Sequence, residues 1–134
     1  MSLLPRIPVS WGECIDKITI LEIKSRKATS VEASANVAAE LALLTDVLPQ
    51  LSPVPPQLRD LRLNLRQINE ELWTVEDELR MCEKRQAFDG RFIELARSVY
   101  RLNDERARIK RAINGLTCSQ IVEEKIYASD SVDS

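Results

Sequence analysis

The charged residue that departs most clearly from its surroundings is Arg106, which interrupts a series of apolar residues repeating every three or four positions. The apolar members of that series are Phe92, Leu95, Val99, Leu102, Ile109 and Ile113. A charge that faces a core must be paired or must face a cavity, because its desolvation is otherwise costly. A guanidinium holds a carboxylate or phosphate through two parallel N–H groups. Arg106 therefore indicates either a buried ion pair or a pocket for an anion.

A second polar series could supply the surroundings of Arg106. It repeats at a four–three spacing and consists of Arg62, Arg66, Asn69, Trp73, Glu76 and Arg80. If two helices turn back near residue 88, opposed positions sum to about 175, because both helices rise equally per residue. Arg106 then lies opposite residues 69–73 and can reach Glu76, while Glu22 offers a carboxylate from the first helix.

Two interpretations of this constellation remain open. In the first, Arg106 forms an ion pair with Glu22 or Glu76 and fixes how the first helix docks. In the second, Arg106 and Arg80 bind an anion, Trp73 forms a flat wall and the asparagines fix its orientation. The candidate site comprises Arg106, Asn103, Trp73, Glu76, Asn69, Arg80 and Glu22.

Other chemistries have little support in the composition. The chain has no histidine, which removes the commonest general base and metal ligand. Its three cysteines, Cys14, Cys82 and Cys118, form no C-x-x-C pair, so we expect neither a disulfide framework nor a zinc site. An acidic cluster at residues 70–78 could suggest the magnesium site of a helical nucleotide hydrolase, but a solvated face explains it better. We expect no metal and no cofactor.

The net charge and the first residues of the chain indicate which partners to expect and where in the cell the protein lies. A net charge of −2 disfavours a dedicated nucleic-acid binder, and the basic stripe at Arg97, Arg101, Arg108 and Arg111 has no interleaved aromatic residues. The first residues do not resemble a signal peptide, and no apolar stretch is long enough for a membrane span. We expect a protein of the cytoplasm that binds no nucleic acid.

The periodicities predict an all-α fold with four helices in a single domain over residues 1–127, followed by a flexible tail at 128–134. Its centre is a long antiparallel hairpin, about 57–85 and 91–114, with a coiled-coil-like seam that includes Cys82. Two N-terminal helices pack on it, one from Ser10 to about Lys27 and one from about Thr29 to Pro49. Gly115 should end the fourth helix, and a short helix could follow from Thr117 to Tyr127.

Several stretches of the sequence resemble a known family of small bacterial helical proteins that is catalogued only as a domain of unknown function. They are IPVSWGECIDKITILEIK at 7–24, INEELW at 68–73, RFIELARSVYRLNDERARIKRAIN at 91–114 and VEEK at 122–125. The W-x-x-E-D at 73–77 with N-x-x-R at 103–106 is similar to a second uncharacterised helical family. The resemblance implies an all-helical bacterial protein and implies no activity.

The sequence favours a binding module for an anionic small molecule or a protein partner. One alternative is a small helical enzyme that acts on a carboxylate- or phosphate-bearing substrate through Arg, Lys and Glu side chains. A second alternative is a purely structural dimer or scaffold. Because the hairpin is longer than one short helical layer can cover, we also expect a homodimer.

Overall fold

A computed structural model of the protein describes residues 3–128. In that range the chain forms α1 (Trp11–Lys27), α2 (Val31–Thr45), α3 (Leu58–Arg85) and α4 (Gly90–Leu116), with a short 3₁₀ turn at Leu48–Gln50. No strand occurs between residues 3 and 128. The predicted all-α architecture with four helices and a long hairpin is confirmed.

Helix α1 is the central element, because α2 packs on it from one side and the α3–α4 hairpin from the other. The side chain of Ser10 caps it by accepting a hydrogen bond from the backbone N–H of Glu13 at 3.0 Å. Apolar residues lie around most of its circumference, and eight of its seventeen residues are buried. A helix that is apolar on most sides also buries some of its polar residues, here Asp16 and Thr19.

The main core forms where α1 crosses the hairpin. Its buried members come from α1, the connector and both long helices: Ile15, Leu51, Leu58, Leu65, Ile109 and Ile113. Burial decreases sharply towards the hairpin turn. Beyond Leu72 no residue of α3 is buried, and Leu95 is the sole buried residue of α4 before Ile109.

The thinning of the core corrects the expectation for Cys82. This residue lies on the seam but is only half-buried, because α1 does not extend over that part of the hairpin. Cys14 is buried within α1, and burial raises the pKa of its thiol. Cys118 is exposed, as the sequence indicated.

The hairpin turn and the end of α4 use left-handed residues other than glycine. Gln86 has φ 56° and ends α3, while Asp89 caps α4 through hydrogen bonds from the N–H groups of Arg91 and Phe92. The predicted role of Gly115 is wrong: it lies inside α4, and Cys118 adopts the left-handed conformation with φ 53°. The backbone N–H of Ser119 then bonds the carbonyl of Asn114 at 2.9 Å, which closes a Schellman motif.

Two boundaries near the ends of other elements also differ from the sequence prediction. Ser30 rather than Thr29 caps α2, since its hydroxyl accepts the N–H of Ala33 at 3.0 Å. The predicted short helix at 117–127 does not form. Residues 119–127 are instead irregular and lie along α4, held by side-chain bonds described below. Of the predicted flexible tail, all but Ala128 lies outside the described residues, as do residues 1 and 2.

None of the helices between residues 3 and 128 combines the length and apolar composition needed to cross a membrane.

Candidate functional site

Arg106 is bound to Asp16, a buried carboxylate in the second turn of α1. Its Nε donates to Asp16 Oδ1 at 2.9 Å, and its Nη2 donates to Asp16 Oδ2, so the pair is bidentate. The Asp16 side chain is 1% exposed, whereas that of Arg106 is 27% exposed. The hydrogen bonds to Asp16 raise the pKa of the Arg106 guanidinium, and they outweigh the opposing effect of burial. This ion pair joins α1 to α4 inside the core.

Asp16 corrects the predicted partner of Arg106, which was Glu22 or Glu76. Glu22 instead lies between two cations of α3, 3.7 Å from Arg62 Nη2 and 3.6 Å from Arg66 Nη1. A signal for Asp16 was present in the sequence: Ile20 and Ile23 follow it by four and seven residues, so Asp16 shares one side of the helix with two apolar residues.

A polar network from α3 completes the surroundings of Asp16. The Nδ2 of Asn69 donates to Asp16 Oδ1 at 2.9 Å and to Thr19 Oγ1 at 2.8 Å. The Thr19 hydroxyl in turn donates to the backbone carbonyl of Asp16 at 2.7 Å. In the described chain, every buried side-chain nitrogen and oxygen has a hydrogen-bond partner. The placement of Asn69 beside Arg106 agrees with the sequence-based pairing.

One turn further along α4, a second set of contacts holds the start of α1. Asn114 Oδ1 accepts the backbone N–H of Gly12 at 2.7 Å, and Lys110 Nζ donates to Glu13 Oε2 at 2.6 Å. A Cβ on Gly12 would lie 2.5 Å from the carbonyl oxygen of Lys110, so only glycine permits this approach of the two helices.

The segment that follows α4 packs over the contact between the start of α1 and the end of α4. The hydroxyl of Ser10 donates to Glu123 Oε1 at 2.8 Å, and Asn114 Nδ2 donates to the same oxygen at 3.2 Å. Burial opposes ionisation of Glu123, but these hydrogen bonds and the charge of Lys110 together lower the pKa of its carboxyl group. Two outer ion pairs, Arg111–Glu124 at 3.0 Å and Lys125–Asp104 at 2.8 Å, hold the segment along α4.

A groove of about 480 Å³ runs between α4 and this segment, and we call it the α4 groove. Its volume lies in the range of small-molecule sites. Arg106 and Asn103 line it, together with apolar and aromatic walls and further basic residues. The remaining lining residues are Val99, Tyr100, Ala107, Arg108, Lys110, Arg111, Glu123, Glu124, Lys125 and Tyr127.

Arg106 and Lys110, two basic side chains of the α4 groove, use some but not all of their hydrogen-bond donors within the protein. Arg106 has five N–H donors, of which two contact Asp16 and one contacts Asn103 Oδ1 at 3.4 Å. Lys110 has three, of which one bonds Glu13. Within residues 3–128, two donors on each side chain thus remain without a protein acceptor. An acceptor that bonded to these donors would leave the bonds between Arg106 and Asp16 unbroken.

The other predicted site residues lie outside the α4 groove. Trp73, Glu76 and Arg80 follow Asn69 along α3 towards the hairpin turn, and none of them lines the groove. Trp73 is half-buried, whereas Glu76 and Arg80 are exposed and make no ion pair within the described chain. Sequence reasoning missed Lys110, which lies one turn after Arg106 on α4, and it missed Tyr127 because it assigned residues 117–127 to a helix of their own. Among residues 3–128, no group of three His, Cys, Asp or Glu side chains could hold a metal ion.

Comparison with known proteins gives one match. A family described as "Family of unknown function (DUF6165)" has a model that matches residues 6–133, nearly the whole chain. No curated protein and no solved structure matches the chain.

Proposed function

Because the chain belongs to the DUF6165 family, whose description assigns no activity, we propose a function from the chain's own geometry: it binds a small carboxylate- or phosphate-bearing molecule in the α4 groove. The observation that carries this proposal is the position of Arg106, which is held by Asp16, lines the groove and has N–H donors left over. A guanidinium fixed in this way loses little conformational freedom when it binds an anion.

The composition of the groove supports an organic anion rather than an inorganic one. Tyr100, Tyr127 and Val99 provide aromatic and apolar lining in the same groove as Arg106 and Lys110. Such a combination of a large apolar wall with a few polar groups is typical of small-molecule sites. The ligand we propose therefore carries an apolar or ring-shaped part beside its charged group.

Titration of ¹⁵N-labelled protein followed by NMR tests the proposal. The probes are inorganic phosphate, citrate, benzoate and a nucleoside monophosphate, each taken to about 10 mM, a concentration that detects millimolar affinity. We expect saturable shifts at the amides of Val99, Asn103 and Ala107 for at least one organic probe. The Lys110→Met variant should bind it at least tenfold more weakly.

The matched control is Arg59→Met, which removes an exposed cation of α3 that lies outside the α4 groove. Binding to this variant should equal that of the unaltered protein. The absence of any saturable shift, or equal weakening by Arg59→Met and Lys110→Met, would refute a site at the groove. The enzyme alternative predicts in addition that the resonances of the probe itself change with time, because a catalyst would convert it.

The homodimer remains a proposal of its own, as does a setting in the bacterial cytoplasm. The homodimer is supported by large apolar side chains that remain only half-buried on the hairpin, among them Trp73 and Phe92. The cytoplasmic setting is supported by three free cysteines, which a reducing compartment preserves.

A further inference from the structure

The polar series of α3 is divided into two halves by the end of α1. Its first half is fully engaged with α1: Arg62 and Arg66 contact Glu22, and Asn69 donates to Asp16. The last side-chain bond between the two helices joins Arg26 to Glu70. Beyond this point the series continues with Trp73, Glu76 and Arg80, and no residue of α1 bonds to them in the described chain.

The same division occurs on α4. Arg106, Val99 and Phe92 are seven residues apart, so they share one side of the helix. Arg106 contacts α1, whereas Val99 and Phe92 lie further towards the turn and are only half-buried. We call residues 73–85 of α3 and 90–102 of α4 the distal arm. The side of the distal arm that continues the α1-binding face carries Trp73 and Phe92 beside Glu76 and Arg80, while Val99, at its inner end, lines the α4 groove.

From these observations we infer that this face of the distal arm binds the same face of a second copy of the chain. The inference rests on the proposed homodimer and names its interface. The hairpin already binds α1 through this face, and a second hairpin would continue the same type of packing as a four-helix bundle. The partner we propose is thus another distal arm.

Charge favours a second copy over an unrelated partner. Glu76 and Arg80 lie one helical turn apart and neither forms an ion pair within residues 3–128. If two α3 helices cross antiparallel about a two-fold axis near residue 78, Glu76 of each copy faces Arg80 of the other. Two-fold symmetry turns one pair of opposite charges into two equivalent ion pairs.

The area of the proposed interface on the distal arm indicates how tightly two copies of the chain would bind. Thirteen residues of helix extend over about 20 Å, and two helices side by side are about 20 Å wide. The face therefore measures about 400 Å², compared with roughly 800 Å² per partner in stable complexes. We expect a weak dimer, with a Kd in the order of tens of micromolar.

Sedimentation equilibrium of the full chain from about 5 to 500 μM, a range chosen around that Kd, tests the inference with a charge swap. The variants Glu76→Arg and Arg80→Glu each place like charges opposite one another, and each should weaken the dimer at least tenfold. An equimolar mixture of the two should associate again, because every facing pair is then opposite in charge. The double variant E76R/R80E should also dimerise like the unaltered chain.

The control is Glu71→Arg, the same charge reversal at a position about 140° around α3 from Glu76. It should leave the Kd unchanged, and circular dichroism should show that all variants retain the helical content of the parent. An unaltered chain that stays monomeric up to about 500 μM would overturn the homodimer and this interface together.

If the unaltered chain dimerises, other results would overturn the interface alone. They are an unchanged Kd in Glu76→Arg, equal weakening by Glu71→Arg, and failure of the mixture to associate. If a single variant does not fold, E76R/R80E still decides: association at the parental Kd supports the facing charges, and a monomer refutes them.

Discussion

Replacing Arg106 by Met removes the guanidinium from a carboxylate that is almost fully buried. Asp16 is 1% exposed and, within residues 3–128, its carboxylate would keep only Asn69, at 2.9 Å, and the more distant Lys110, whose Nζ lies 3.8 Å from Oδ2. Breaking a buried ion pair from one side costs about 3–5 kcal/mol, because it leaves a charge without compensation. Since Asn69 and Lys110 retain part of that compensation, we expect a loss of about 3 kcal/mol in the free energy of unfolding.

The opposite substitution should cost less. In Asp16→Asn, Arg106 loses its counter-charge but keeps one acceptor, and its side chain is 27% exposed, so water can reach it from the α4 groove. Loss of one charge-assisted hydrogen bond costs about 1.5–3 kcal/mol, and hydration places this variant near the lower end. The double variant has neither buried charge, and it should recover at least about 1.5 kcal/mol relative to the sum of the single losses.

Urea unfolding followed by circular dichroism measures these values, since a domain of this size is expected to unfold in two states. Arg108→Met is the control, because Arg108 pairs with Glu105 at the surface and its loss should change stability little. Strictly additive losses in the double variant, or a loss below about 1 kcal/mol in Arg106→Met, would contradict a buried pair that fixes α1 on the hairpin.

Three further changes test other parts of the fold. Gly12→Ala should lower the free energy of unfolding in urea by about 1–3 kcal/mol, because the added methyl group meets the backbone of α4. Gly115→Ala has nothing near its Cβ and should raise that free energy by up to about 1 kcal/mol. Equal effects of the two substitutions would refute the close approach at residue 12. Because the pKa of Glu123 is lowered, the stability from its hydrogen bonds is fully present above the ordinary glutamate pKa of about 4.3 and is lost as the pH falls through its own lower pKa. Amide exchange in residues 119–125 should therefore rise in that pH range. The rise should be smaller in Glu123→Gln. A thiol reagent should modify exposed Cys118 first and buried Cys14 last, and prior reaction of Cys14 would contradict its burial.

The helices could be predicted from the sequence because their signals are local. The three–four spacing, the caps at Ser10 and Asp89 and the prolines before residue 57 each act within one or two turns. The end of α4 could not be placed in the same way. A glycine at 115 suggested a left-handed residue, yet the chain places Cys118 in that conformation, where Ser119 can reach the carbonyl of Asn114 and also accept the N–H of Trp11 at 3.3 Å.

The candidate site was predicted in part, for a physical reason. The misfit of Arg106 in an apolar series identified it as a residue that needs a partner, and the register of the hairpin placed Asn69 nearby. The carboxylate that binds Arg106 comes from α1, and its identity depends on the angle at which α1 crosses the hairpin. Close packing at Gly12 contributes to that angle through contact with α4, and such a contact leaves no periodic signal in the sequence.

The double role of Arg106 limits how an anion can bind in the α4 groove. A ligand that drew the guanidinium away from Asp16 would leave that carboxylate buried and unpaired, at a cost of several kcal/mol, which exceeds the affinity gained from one exposed ion pair. A ligand that uses the remaining N–H donors avoids this cost and adds a negative charge beside a cation that is already held in place. Binding should therefore leave the Arg106–Asp16 bonds intact and stabilise the fold by mass action, so the melting temperature should rise with ligand concentration. A ligand that lowered the melting temperature would bind the unfolded chain better than the folded one, and would exclude recognition in the α4 groove.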